Sequence, residues 1–410
     1  MFRCLIKRIP MGGVYLLVFC TSLSAAPKND SWRVWLQNQI ENHPQVVAAK
    51  EKMESSLSWA NNQELPLYNP ELETEYEREG DSNNFKIGIT QTIDWWDKSS
   101  IRKKQASINR QTAHFEFKAI LQRRTAETIS ALIEWDSAKQ HAKLAKEQED
   151  RLSALLKVIT QRQEAGDLGQ LDAELTYLEL SQQLNETAET HVQFKIAEAR
   201  VRELLPDWSV EMSQVPKSFW RFDANNSFSQ SIDQIPNVAA ARTAWESLRQ
   251  EAEVAKLDAK NEPTFGLNAG QNGDDDVVGI SFSMPLNIRN DFSAQVKAIN
   301  QQVLSAESQF LAARRSQQFS IEAAQSTLNE YKKHYKRWQG LMKGRIESSA
   351  KLLEQQWRSS DVSTSEYLLS LQQRADGIVS GIELQKKYRK AYIDWLLNTG
   401  QVLTALKQAN

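Results

Sequence analysis

The segment His43-Pro44-Gln45-Val46-Val47-Ala48-Ala49-Lys50 returns as Ile235-Pro236-Asn237-Val238-Ala239-Ala240-Ala241-Arg242, at an offset of 192 (235 minus 43). Pro70 matches Pro263, Gly80 matches Gly273 and Asp167 matches Asp361 at almost the same spacing. An offset held nearly constant along most of a half-chain means that whatever one half folds into, the other repeats. The expected organisation is a first repeat over 26–207, a linker over 208–224 containing Trp208, Pro216 and Trp220, a second repeat over 225–405, and a tail over 406–410.

Within each half, the clearest local signal is a period of two. Leu72, Thr74 and Tyr76 alternate with Glu71, Glu73, Glu75 and Glu77, and Gly80-Asp81-Ser82-Asn83-Asn84 is turn-forming. Phe85, Ile87, Ile89 and Ile93 then alternate with Lys86, Gly88, Thr90 and Thr92. Alternation on both sides of a turn predicts a β-hairpin over 70–93. The second half repeats it over 263–286: Phe265, Leu267 and Ala269, a turn at Asn272-Gly273-Asp274-Asp275-Asp276, then Val278, Ile280, Phe282, Met284 and Leu286. Tilted strands of about nine to eleven residues span an outer membrane. A half-buried hairpin in a soluble protein shows the same pattern; the duplication, an export signal and the adjoining helices favour the membrane strand.

After each hairpin the pattern becomes helical, over 98–164 and 290–358, or about 100 Å of helix each at 1.5 Å per residue. With only 15 Gly and 10 Pro in 410 residues, little punctuation interrupts such runs. Ala131, Ala138, Ala145, Leu152 and Ile159 recur every seven positions, with Trp135, Ala142 and Leu156 four residues on. The second half has Val296, Val303 and Phe310, then Ala324, Tyr331, Trp338 and Leu352. Sustained heptads predict helices packed side by side as in a coiled coil. Each long helix ends at a short break, Gly166-Asp167-Leu168-Gly169 or Ser359-Ser360-Asp361-Val362-Ser363, and a second helix returns to about Leu205 or Thr399. Helices over 44–64 and 236–260 precede the strands. The fold class is mostly α with a small β part.

Arg3, Lys7 and Arg8 precede the apolar run Val14 to Phe19 and the small residues Ser24-Ala25-Ala26, the pattern of a signal peptide over 1–25. Cleavage after Ala25 leaves about 385 residues and a net charge of about −5, from −2 with three cations removed. Phe19 before Cys20 argues against lipidation, and Cys4 and Cys20 both leave with the signal, so neither disulfide nor thiolate metal site is expected. No later run reaches the about eighteen apolar residues of a spanning helix. The absence of a basic block disfavours nucleic acid as a partner.

Signal peptide, helix, short hairpin, very long helix, tight turn and returning helix, the last five occurring twice, together resemble the TolC family of outer-membrane efflux proteins. The Pro-x-Val segments at 44–46 and 236–238 and the turns Gly166 to Asp172 and Ser360 to Glu366 carry the likeness locally. The resemblance implies a homotrimer whose chains pool four strands each into a twelve-stranded transmembrane β-barrel, continued by an α-barrel tunnel of helical hairpins. It further implies a periplasmic adaptor and an inner-membrane pump, with the resistance-nodulation-division type suggested, as partners. Pooling also follows from physics: four strands cannot close a barrel, and unpaired backbone groups in lipid cost several kcal/mol each.

Candidate site residues follow from these placements. Glu73, Glu75, Glu77 and Lys86 are barrel-lumen candidates, or else a solvated strand face. Trp95 and Trp96 suit an interfacial aromatic girdle, or packing at the junction. Asp172 and Glu366 match acidic positions near the family's narrow periplasmic end, where carboxylate rings select for cations; acids in a helix's first turn are also ordinary dipole partners. Leu369 stands where the family carries a second acid, which weakens a double ring. Gly166, Asp167, Gly169, Ser360, Asp361 and Ser363 are adaptor-docking candidates at the turns. His43, His114, His141, His191 and His334 are scattered, and no HExxH, nucleophile elbow or phosphate-binding loop occurs, so neither catalytic nor cofactor or metal-binding residues are assigned. The expected function is passive conduction across the outer membrane; the alternative is a soluble periplasmic coiled-coil adaptor or spacer.

Overall fold

The computed structural model describes residues 28–166, 169–212, 214–221 and 231–408. In chain order these form α1 (Lys28–Glu41), α2 (Pro44–Gln63), β1 (Glu71–Glu79), β2 (Ser82–Thr92), α3 (Lys98–Glu164), α4 (Gln170–Leu204), α5 (Pro236–Asp258), β3 (Thr264–Asn272), β4 (Asp275–Ser283), α6 (Ser293–Met342), α7 (Arg345–Arg358), α8 (Thr364–Asn398) and α9 (Val402–Lys407). The expected signal peptide, Asp167 and part of the linker lie outside the described residues.

Local chemistry explains where the elements begin. Pro44 and Pro236 open α2 and α5, at the one helical position where a missing N–H costs nothing. The long helices are entered through left-handed residues, Asp97 (φ 55°) and Phe292 (φ 57°). A preceding acid stabilises each entry: Asp94 accepts from the Lys98 and Ser99 amides at 2.8 and 2.9 Å, and Asp291 from the Ser293 amide at 3.0 Å. The chain thereby turns sharply from strand to helix. Both hairpin turns are tighter than the sequence pattern suggests, because Ser82 and Asp275 already belong to strands. Met284 and Leu286, expected in the last strand, follow it.

The second long helix corrects the expectation of a continuous run over 290–358. It breaks at Lys343-Gly344, where Gly344 takes φ 74°, and restarts as α7. A change of helical phase there takes Leu352 off the buried heptad series; it is 55% exposed.

One sheet, ordered β1-β2-β3-β4, joins the two hairpins through antiparallel β2–β3 pairing. Near the sheet, α3 packs on α2 and α5, and α5 on α6; farther away α3 packs on α4 and α8, and α8 on α6 and α7. A principal core lies partway along this column. There Trp32, Leu36 and Ile40 of α1 meet Ile129 and Leu132 of α3, Phe219 of the linker, Trp395 of α8 and Leu406 of α9. The sequence pattern indicated neither α1 nor α9, two short helices placed by this core.

Candidate functional site

Strand register sorts the sequence alternation onto opposite faces of the sheet. On one face Leu72 pairs with Ile89, Tyr76 with Phe85, Ile89 with Leu267, Leu267 with Ile280, and Phe265 with Phe282. This face is apolar from edge to edge and open: Val278 is 84% and Ile280 86% exposed. Contiguous exposed apolar surface of this kind marks a membrane or partner contact. The other face carries Glu73, Glu75, Glu77, Lys86 and Asn268, with Lys86 Nζ 3.3 Å from Glu75 Oε2. It also holds glycines where strands converge: a Cβ at Gly270 would strike the Phe85 carbonyl, and one at Gly266 would strike Ser281 Oγ. Such crowding belongs to the inside of a curled sheet. Among the described residues, neither β1 nor β4 has a second partner strand.

Trp95 and Trp96 follow β2 directly and are 63% and 40% exposed. Trp96 donates its indole N–H to the Asn261 carbonyl at 2.9 Å, with the Lys260 ammonium 4.3 Å over its ring. Trp59, Leu65, Leu286 and Ile288, on segments entering or leaving the sheet, are also exposed, and sequence reading singled out none of them as interfacial. Beneath lies a buried polar cluster that it also missed. Lys98 Nζ sits 3.0 Å from Asp258 Oδ1 and 3.3 Å from Glu262 Oε2, and Tyr68 donates its hydroxyl to Glu262. Burial and the Glu262 carboxylate push the Tyr68 phenol well above its usual range, which keeps it a donor. Lys98 and Tyr68 come from the first half and Asp258 and Glu262 from the second, so this cluster ties the halves together at the base of the sheet. Removing the Lys98 ammonium would leave the buried Glu262 carboxylate without a cation, at about 3–5 kcal/mol.

The helical turns meet at the far end. Leu155 and Ile159 of α3, Ala173 of α4, Trp357 of α7 and Tyr367 and Leu371 of α8 share one buried cluster, with Trp357 stacked 5.3 Å from Tyr367. Asp172 and Glu366 each occupy the third position of their returning helix. Glu366 is engaged in a capping box: it accepts from the Ser363 amide at 2.9 Å, and the Ser363 hydroxyl accepts from the Glu366 amide at 3.2 Å. The Ser363 amide and hydroxyl hold this carboxyl below its usual range. Asp172 follows Gly169, whose lack of a side chain leaves no such box. Gly166 (φ 80°) and Ser360 (φ 63°) make the two turns, and the Ser359 hydroxyl donates to Asp361 at 2.6 Å.

Between core and tip, polar contacts join α3 to α8. Arg389 reaches Asp136 at 3.0 Å, Lys390 pairs with Glu134, and His141 lies 3.1 Å from Glu383. Among the described residues, no group of three or more His, Cys, Asp or Glu is arranged to hold a metal ion, and no helix is long and apolar enough to cross a membrane.

No family model and no curated protein matches the chain. Among solved structures it is similar to the Campylobacter jejuni CmeC outer membrane channel, with TM-score 0.73, 13% identity, and coverage of 98% of this chain and 97% of that one. It is also similar to the outer membrane protein VceC of Vibrio cholerae (TM-score 0.71, 10% identity, 91% and 99% covered). The open-state MtrE outer membrane channel of Neisseria gonorrhoeae gives TM-score 0.71 at 11% identity, with 91% and 89% covered. At these identities the likeness is one of fold: the chain has the fold of outer-membrane channels, the mostly α architecture with two β-hairpins expected from its sequence.

Proposed function

We propose that this chain is one of three identical subunits of an outer-membrane channel that passively conducts substrates delivered by an inner-membrane pump and a periplasmic adaptor. The observation that carries this reading is the sheet, apolar on one open face, polar on the other and unpaired at both edges. In lipid the edges demand partners. Two copies give eight strands and a barrel filled by side chains, whereas three give twelve strands and room for a lumen. The polar face, with Glu73, Glu75, Glu77 and Lys86, then lines the passage. Trp95 and Trp96 lie at the level of the lipid headgroups, and the turns around Gly166 and Ser360 reach down to the adaptor.

The protein should sediment with outer-membrane vesicles, resist salt and carbonate washes, and enter solution only with detergent. Release with the periplasmic contents would favour a soluble spacer instead.

A further inference from the structure

We infer that Lys260 and Arg289, at the base of the sheet, hold the phosphate of an anionic phospholipid in the periplasmic leaflet of the outer membrane, with its acyl chains along the apolar residues that prolong the sheet. This rests on the membrane reading of the sheet given above. The apolar face does not stop where the strands do. β2 ends at Thr92, yet Ile93 and Trp95 keep its alternation and are 41% and 63% exposed. β4 ends at Ser283, and Met284, Leu286 and Ile288 extend the series of Ile280 and Phe282, with Ile288 85% exposed. Packing within the chain leaves these residues open, and a lipid surface would cover them.

Each run then ends beside a cation. Trp96 follows Trp95 and carries the Lys260 ammonium 4.3 Å over its ring, while Arg289 follows Ile288 directly. Two hydrogen bonds gather both runs on the short segment between α5 and β3: the Trp96 indole N–H donates to the Asn261 carbonyl at 2.9 Å, and Asn287 Nδ2 donates to the Ala259 carbonyl at 2.9 Å. Lys260 lies between those two carbonyls in sequence. The carboxylates nearest along the chain are already committed, since Asp258 and Glu262 turn to Lys98, Asp94 accepts from the first amides of α3 and Asp291 from the first amide of α6. Among the described residues neither Lys260 nor Arg289 has an ion-pair partner, and both are exposed.

Apolar surface, then aromatic rings, then unneutralised cations is the order in which a phospholipid presents its chains and its phosphate. A soluble anion would need the cations alone; the exposed apolar runs that lead to them fit an amphiphile. A neighbouring copy fits less well, because the ring under Lys260 follows β2, an inner strand of the sheet rather than an edge.

The test uses the full-length chain extracted from membranes in mild detergent. Native mass spectrometry with added phosphatidylglycerol or phosphatidylcholine of identical acyl chains should show phosphatidylglycerol retained more strongly, by roughly fivefold for each contributing cation. Lys260→Gln with Arg289→Gln should abolish that preference, whereas Lys336→Gln with Arg337→Gln, which removes the same charge about 65 Å along α6, should keep it. Inorganic phosphate should not displace the bound lipid; if it does, the cations form a soluble-anion site and the phospholipid is wrong. Equal retention of the two lipids by the wild-type chain overturns the site and leaves the channel standing, and that comparison decides even where the first double variant fails to assemble. A preference that survives in that variant, with an oligomer that dissociates more easily, assigns the two cations to the subunit boundary and equally overturns the site. A wild-type chain that stays in water and takes up neither lipid overturns the membrane reading as well.

Discussion

Ile280 and Asn268 sit on adjacent strands but opposite faces of the sheet, Ile280 paired with Leu267 and Asn268 with Gly279. On the proposed facing, Ile280→Lys puts a cation in lipid at a cost of about 2–4 kcal/mol near the midplane and should reduce membrane assembly, whereas Asn268→Lys faces the lumen and should assemble normally. Equal assembly of the two variants, measured as heat-resistant oligomer in the membrane fraction, would reverse the assigned facing. His141 carries a pH dependence of a different origin. Burial lowers its pKa, and the nearby Glu383 only partly offsets this. Burial pushes Glu383 up, but Lys386 at 2.6 Å, with His141, outweighs that and holds the carboxyl below its usual range. At neutral pH His141 is mostly uncharged, so Lys386 supplies most of that stabilisation. Because the folded state resists protonating His141, the unfolded chain gains the proton more readily, and stability is lost as pH falls through about 6.5, the ordinary histidine value. His141→Gln should flatten that part of the unfolding-midpoint profile; an unchanged slope would show that other groups set it. Neither this pair nor the cluster of Lys98, Tyr68 and Glu262 was legible in the sequence, since each joins residues far apart in the chain and only folding brings them together.

At the scale of elements, legibility followed the range of the signal. Alternation around Gly80 and Gly273 is local and marked both hairpins, and the heptads of α3 marked a helix that runs unbroken for 67 residues. The break at Gly344 was hidden because helices tolerate an isolated glycine, and only the left-handed backbone found there distinguishes it. α1 and α9 owe their place to the shared core rather than to strong local patterns. The tip acids were legible as positions, but their surroundings were not: Glu366 holds the first turn of α8 through its capping box, and Asp172 has no equivalent. Glutamine can occupy the same box without charge, so Asp172→Asn with Glu366→Gln separates electrostatics from folding. The double variant should assemble normally and show a weaker preference for cations in planar-bilayer recordings. Unchanged selectivity would leave these residues a purely local role.

For the whole molecule, sheet and helical layer make the same demand. Each ends in outer elements, β1 and β4 in the sheet and α4 and α6 in the column, that lack a partner on one side among the described residues. The apolar sheet face has no covering helix, and the exposed tryptophans Trp59, Trp95 and Trp96 lie on segments beside its base. In the proposed channel, lipid around the sheet and neighbouring copies at the edges would satisfy these groups together, whereas a lone chain in water would leave them open. The subunit count therefore bears on more of the structure than any single substitution does. Native mass spectrometry of the protein extracted from outer membranes in mild detergent should give a single assembly of three chains that persists on dilution. A monomer with intact helical content, or an assembly of any other number, would contradict the twelve-stranded channel.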